Sequence, residues 1–442
     1  MITPSRTVTR SVAAFVGIGL VAASLTACSV STTATTDTSI APTGVTAALW
    51  DSSAVHSIEL VVDPAELQGL IDTYLATGDK EWVSATVVID GQTFTDVGLK
   101  LKGNSSLRVV TADSDPASLP WVIRLDKFVD GQSLDGETEL VVRGSSTETA
   151  INEAVALEML ALAGLASEEA VSSRFSINGG TTELRLVIQN PNDGWDEQEF
   201  GATGLLYKAE SGGDYTYRGD DPESYTDIFD QEAGDDNLEP LITFLQFINE
   251  SDDATFAADL DQYLDVDAFA TYLAYQDLVD NFDDIDGAGN NSYLHYDETT
   301  GIMTVVNWDL NLAFGTANVD GGGGAPGANG GQPGQGAVQG QGGPPAGDAP
   351  AGGGQVGGQA GGGPSNGNVL SERFLENSDF AALVTAAKTE LIATLYSSGA
   401  AEQAVTEWVT VFTTQADDLV PTATVDLEAD AVRESFAQYL SS

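Results

Sequence analysis

The chain has 442 residues, with 67 Asp and Glu against 16 Lys and Arg, a formal net charge of -51. That balance argues against nucleic acid as a partner, because phosphate backbones are held by clustered Lys and Arg, and against adsorption to anionic lipid by charge alone. A single cysteine, Cys28, and two histidines, His56 and His295, exclude an intrachain disulfide, a Cys-rich zinc site and a His-based metal cluster, so carboxylates must carry most acid–base or metal chemistry.

The N-terminus has a short positive region, Arg6 and Arg10, then an apolar run over 12–24. That run is too short for an ordinary membrane span. Leu25-Thr26-Ala27-Cys28 resembles a bacterial lipobox. The resemblance implies that 1–27 is a signal peptide and that Cys28 becomes a lipidated first residue. The mature protein is then expected to be extracytoplasmic, held to the cell membrane by its lipid. Residues 28–54, rich in Ser, Thr and Ala, read as a flexible tether.

A β-rich region is expected over 55–236. Ser57–Val62 alternates as a strand, and Asp63-Pro64-Ala65-Glu66 is a helix start with Asp as N-cap. WVSATVVID and TFTDVGLKLKG flank Gly91-Gln92 as a hairpin. Trp121–Phe128 and Glu139–Val142 add strands, and Ala150–Leu165 has helical spacing that ends near Gly164. SRFSI, TELRLVIQ and GLLYKAE are further strands.

From 237 the pattern turns helical: PLITFLQFIN, ATFAADLDQYL and DAFATYLAYQDLVDN. A hairpin, NSYLHYD–ETTG–IMTVVNWD, is inserted among these helices. Residues 321–367 contain 22 glycines and no aromatic, Lys or Arg, so the stretch 318–368 reads as a disordered insertion. Helical patterns resume near 378. The class is α+β, a β-rich lobe followed by a helical lobe with an inserted hairpin.

The densest chemistry lies in Asp280–Asn291 (DNFDDIDGAGNN) and at the hairpin's end, Asn307-Trp308-Asp309. An EF-hand register fails: Gly287 at the invariant glycine puts Phe282 and Tyr293 at ligand positions. A phosphoryl-transfer pattern fits better. Asp286-x-x-x-x-Asn291 has the spacing of a catalytic Asp and a metal-holding Asn, and Asp309 follows a hairpin as a second metal ligand would. Two carboxylates and an amide suit a hard cation. Trp308 and His295 read as structural residues.

NNSYLHYD and TVVNWDLNLAFG, together with VGLKLKGNSS, INEAVALEMLALAGL and GLLYKAE, resemble the spore-coat protein H (CotH) kinase family over about 55–420. The resemblance implies an atypical protein-kinase-like fold, a reduced β N-lobe over a helical C-lobe, using ATP with Mg²⁺ or Mn²⁺. It implies metal-binding roles for Asp309 and Asn291 and a catalytic Asp at Asp283 (family pattern) or Asp286 (kinase spacing). Lys102, with Ser105 and Ser106 in the following turn Gly103-Asn104-Ser105-Ser106, matches the family's R-G-x-S-S-like phosphate turn with Lys in place of the commoner Arg, and Arg124 and Lys127 are further candidates for nucleotide binding. Glu153 or Glu158 is expected to pair with such a Lys. Gln189 stands where the family often has an acid, which puts hinge contacts in question. The implied activity is phosphoryl transfer from ATP to Ser or Thr of an envelope or surface protein. Alternatives are a catalytically silent kinase-like scaffold and a carboxylate-dependent glycan enzyme. Oligomeric state is not encoded legibly.

Overall fold

The structure, a computed structural model, describes residues 48–144, 146–201, 204–210, 214–286, 291–316 and 368–440. The expected signal peptide, Cys28, most of the tether and nearly all of the Gly-rich insertion lie outside these residues. In chain order the elements are β1 (Val55–Val62), α1 (Pro64–Thr77), β2 (Val83–Ile89), β3 (Gln92–Leu101), β4 (Trp121–Arg124), β5 (Glu139–Val142), α2 (Ile151–Leu162), β6 (Ala170–Ile177) and β7 (Thr182–Gln189). Then come α3 (Asp193–Phe200), β8 (Leu205–Ala209), β9 (Phe229–Ala233), α4 (Glu239–Glu250), α5 (Asp253–Asp259), α6 (Val266–Leu278), β10 (Ser292–Asp297) and β11 (Ile302–Asn307). Four helices end the chain: α7 (Val369–Glu376), α8 (Ser378–Leu391), α9 (Ala400–Gln415) and α10 (Thr422–Phe436).

Period-two alternation builds a barrel. Ile58, Leu60 and Val62 of β1 share one core with Val87 and Ile89 of β2, Val97, Leu99 and Leu101 of β3, and Trp121 and Ile123 of β4. The strands close in the order β1-β2-β3-β4-β5-β7-β6. Closure comes from a parallel pairing of β1 with β6, in which Ile58 faces Phe175. A closed seven-stranded barrel therefore stands where the family resemblance implied a reduced kinase lobe. Closure removes both sheet edges, and it depends on a pairing that no local pattern announces.

Local signals held elsewhere. Asp63 caps α1, its Oδ1 accepting from Ala65 N at 2.7 Å. Asp90 and Gly91, both at positive φ, turn the β2–β3 hairpin. The strand expected over Trp121–Phe128 stops at Arg124, where the chain turns back and Lys127 N bonds Arg124 O at 3.5 Å. Packing begins before the expected boundary at 55: Leu49 is 2% exposed within the barrel core, and Leu49 N donates to Asp135 Oδ2. Asn368, at the expected end of the insertion, caps α7, so helix resumes ahead of 378.

A second sheet has the order β11-β10-β8-β9. The inserted hairpin is thus no appendage of the helices: Leu294 of β10 pairs with Tyr207 of β8. The division expected at 236/237 cuts across this sheet, and β9 had no recognisable sequence signal. Gly204 permits the approach, since a Cβ there would lie 2.6 Å from the Tyr296 carbonyl oxygen. His295 is structural, as expected, bonding Asp196 Oδ1 at 2.6 Å and stacking on Phe200.

α2 wedges between layers. Its buried residues pack on Leu184, Leu186 and Ile188 of β7 and on Trp408, Phe412 and Val425 of the last two helices. Among the described residues no helix is long and apolar enough to cross a membrane.

Candidate active site

A cleft of about 700 Å³ runs between the outward face of the barrel and the second sheet. Alternation decides which side chains reach it. Leu99 and Leu101 of β3 point into the barrel core, so Lys100 and Lys102 point out. On β5, Leu140 and Val142 join that core, while Glu139 and Val141 line the cleft. The facing wall carries Lys208 and Glu210 with Asp230 and Glu232, and Lys208 pairs across the ladder with Asp230.

Lys80, Lys100, Lys102, Arg108, Arg143 and Lys208 all line this one cleft, in a chain with only 16 Lys and Arg. Six carboxylates line it as well: Glu139, Glu210, Asp230, Glu232, Asp283 and Asp309. Like charges crowd each other. Burial, with Lys208 next, lowers the Lys102 pKa to about 7, and burial with neighbouring lysines also lowers that of Lys100. Lys102 Nζ donates to Asn190 Oδ1 at 3.0 Å and lies 4.9 Å from the Trp308 ring centroid. Lysines with depressed pKa values gathered in one cleft mark a candidate functional site.

At one end stand Asp283, Asn291 and Asp309, all lining the cleft. A chain of buried amides fixes the two segments that bear the carboxylates. Asn281 Nδ2 donates to Gln276 Oε1 at 2.9 Å, and Gln276 Nε2 donates to Asn307 Oδ1 at 2.6 Å. Asn291 Nδ2 clasps the Asp283 carbonyl at 2.6 Å. Burial and then the negative charge of Asp309 raise the Asp283 pKa, and the Asn291 side chain opposes them. Asp309 sits in the left-handed region at φ 66 and ψ 65, a conformation that costs a non-glycine residue about 1 kcal/mol.

Arg143 joins this cluster. Its Nη2 donates to Glu153 Oε1 at 2.7 Å and to Asp309 Oδ1 in a shorter contact. Both partners outweigh burial and raise the Arg143 pKa, so it is charged at any ordinary pH. Burial, opposed by Arg143, raises the Glu153 pKa. Arg185 holds the Arg143 backbone from inside the barrel, with Nε bonding Arg143 O at 3.1 Å.

The expected site residues divide. Asp283, Asn291, Asp309, Lys102 and Ser106 come together in the cleft. Asp286 does not line it: its carboxyl meets Ser371 and the charge of Glu372 on α7. Arg124 is paired with Asp126, and Lys127 lies over Trp82, and neither lines the cleft. Ser105 opens a 3-10 turn, Ser105–Leu107, and Gly103 before it has φ 96, which favours glycine. The expected Lys–Glu pair is an Arg–Glu pair, Arg143 with Glu153. Glu158 instead accepts from Trp408 Nε1 at 3.1 Å. Gln189 is turned into the fold, its Oε1 accepting from Glu169 N at 2.9 Å. Trp308 is more than a core anchor, since Arg143 also lies over its ring at 5.7 Å. Arg143, Lys80 and Arg108 lie outside the motifs quoted above, and Lys100 and Lys208 stand within VGLKLKGNSS and GLLYKAE without an assigned role.

The donor set suits a hard divalent cation in part. Among the described residues no three His, Cys, Asp or Glu side chains group closely enough to hold a metal by themselves. One carboxylate, Asp309, and one amide, Asn291, would leave the remaining positions to water or to phosphate oxygens, as Mg²⁺ sites that bind through a nucleotide do. What this defines is a charged cleft with Asp283, Asn291 and Asp309 at one end. A family model described as CotH kinase protein matches residues 99–438, most of the chain, and the chain belongs to the CotH kinase family. No curated protein matches it.

Proposed function

We propose that the protein is an active atypical kinase of kinase-like two-lobe logic, the barrel serving as N-lobe. It would transfer the γ-phosphoryl group of ATP to a Ser or Thr hydroxyl of an envelope or surface protein. The lipobox-like N-terminus supports an extracytoplasmic location with a lipid anchor at Cys28. The observation that carries the reading is the gathering of six of 16 cations in one cleft that ends at Asp283, Asn291 and Asp309.

Lys102 and Arg143 lie over Trp308, beside Asp309, and suit the phosphates by charge and, for Arg143, by its planar fork. Gly103 and Ser106 line the same end of β3. Asp309 and Asn291 would hold Mg²⁺ or Mn²⁺, which supplies charge neutralisation to the phosphates when bound. Asp283 takes the proton as the acceptor hydroxyl oxygen forms its bond to the γ-phosphorus and the bond to the β–γ bridging oxygen breaks, releasing ADP. Burial favours that role, because a raised carboxylate pKa makes a better base.

The test uses the chain from about residue 45 with γ-labelled ATP, Mg²⁺ or Mn²⁺, and envelope extract. Label should appear with the native chain and disappear with folded Asp309→Asn. No label with either metal, and no thermal shift on adding nucleotide, would leave the silent scaffold in its place.

A further inference from the structure

Arg143 occupies an oxygen of the very carboxylate proposed to receive the cation. Its other side-chain partner, Glu153, is 1% exposed and fixed on α2. Arg143 Nε and Glu153 Oε2 are buried and have no hydrogen-bond partner among the described residues. Asp309 therefore already has a cation on it, with a donor in reserve beside it.

We propose that Arg143 guards Asp309, so that the divalent cation enters this cleft together with a polyphosphate rather than ahead of it. The proposal rests on Asp309 being a cation ligand. A divalent ion arriving alone must displace the guanidinium from Asp309. It would leave a buried charge held by Glu153 alone, close to two new positive charges. A polyphosphate changes the balance. Its oxygens offer the guanidinium new acceptors in the paired geometry that its fork matches. The Arg185 bond to the Arg143 carbonyl and the Arg143 N bond to Leu186 O keep the backbone in place, so only the side chain needs to turn, with Glu153 still in reach of its guanidinium.

Mn²⁺ binding, read from the electron paramagnetic resonance of the free ion, tests this on the chain from about residue 45. It is measured with and without a non-hydrolysable ATP analogue, on native protein, on Arg143→Gln/Glu153→Gln and on Asp309→Asn. The double variant removes both buried charges and so leaves neither one stranded. It should bind Mn²⁺ alone about tenfold more tightly than the native chain, and the analogue with Mn²⁺ about tenfold more weakly. Equal Mn²⁺ affinity in native and double variant, lost in Asp309→Asn, overturns the guard and leaves the metal site standing. Native affinity in Asp309→Asn overturns the metal site and the guard with it. If the double variant does not melt cooperatively, Arg143→Lys keeps the charge and shortens the reach. It should bind Mn²⁺ alone about threefold more tightly, and no change there also overturns the proposal.

Discussion

Lys102 turns the cleft's electrostatics into a measurable stability. Its pKa falls from 10.5 to about 7, through burial first and Lys208 second. Between those values the unfolded chain holds the proton more readily than the folded one. Stability attributable to Lys102 therefore rises with pH from about 7 toward 10.5 and is penalised on the acid side. At 1.36 kcal/mol per pKa unit, with Lys102 half-protonated, the penalty near pH 7 is about 4 kcal/mol. Lys102→Met removes it. The variant also loses a charged hydrogen bond to Asn190, worth about 1.5 kcal/mol, and a cation–π contact with Trp308, worth about 1 kcal/mol.

The net expectation is that Lys102→Met is more stable than the native chain by about 1.5 kcal/mol at pH 7, with the gain gone by about pH 10. Urea unfolding of both chains between pH 6.5 and 10 reads this directly. A difference that stays flat across the window, or a methionine variant less stable at pH 7, would refute the reasoning. Nucleotide binding has the same root, since a polyanion needs the charged form. Affinity of the native chain should fall about tenfold per pH unit above 7, and Lys102→Arg should level that slope.

Asp283→Asn should lower phosphoryl transfer by about a thousandfold, whereas Asp286→Asn, facing α7, should stay within about threefold in the same labelled-ATP assay. Glu153→Ala takes one of two carboxylates from buried Arg143, leaving Asp309, and should cost about 1.5–3 kcal/mol in urea unfolding; a cost under about 0.5 kcal/mol would mean that the pair is solvated. His56 is buried, which lowers its pKa, yet Asp90 at 2.6 Å and Asp51 outweigh burial and raise it. Its contribution is full below about pH 6.5 and fades as pH rises through the raised folded value. His56→Gln should therefore lose more thermal stability at pH 5.5 than at pH 9, and the reverse order would sink the assignment.

What the sequence disclosed follows the range of each interaction. The Asp63 cap and the β10–β11 hairpin are set by neighbours in the chain, and both stand as expected. Barrel closure is different: Ile58 meets Phe175 across more than a hundred intervening residues, and alternation at either strand is the same whether the sheet is open or closed. The site divides in the same manner. Asp283, Asn291 and Asp309 sit at the ends of elements that announce themselves. Arg143 follows a short strand and precedes a glycine, where an arginine ordinarily reads as solvated, and its meaning appears only when α2 brings Glu153 against it. Acids were poor guides, because with 67 of them any spacing recurs by chance. Cations carry the stronger signal in such a chain: a Lys or Arg kept against a net charge of -51 needs a reason, and six of them share one.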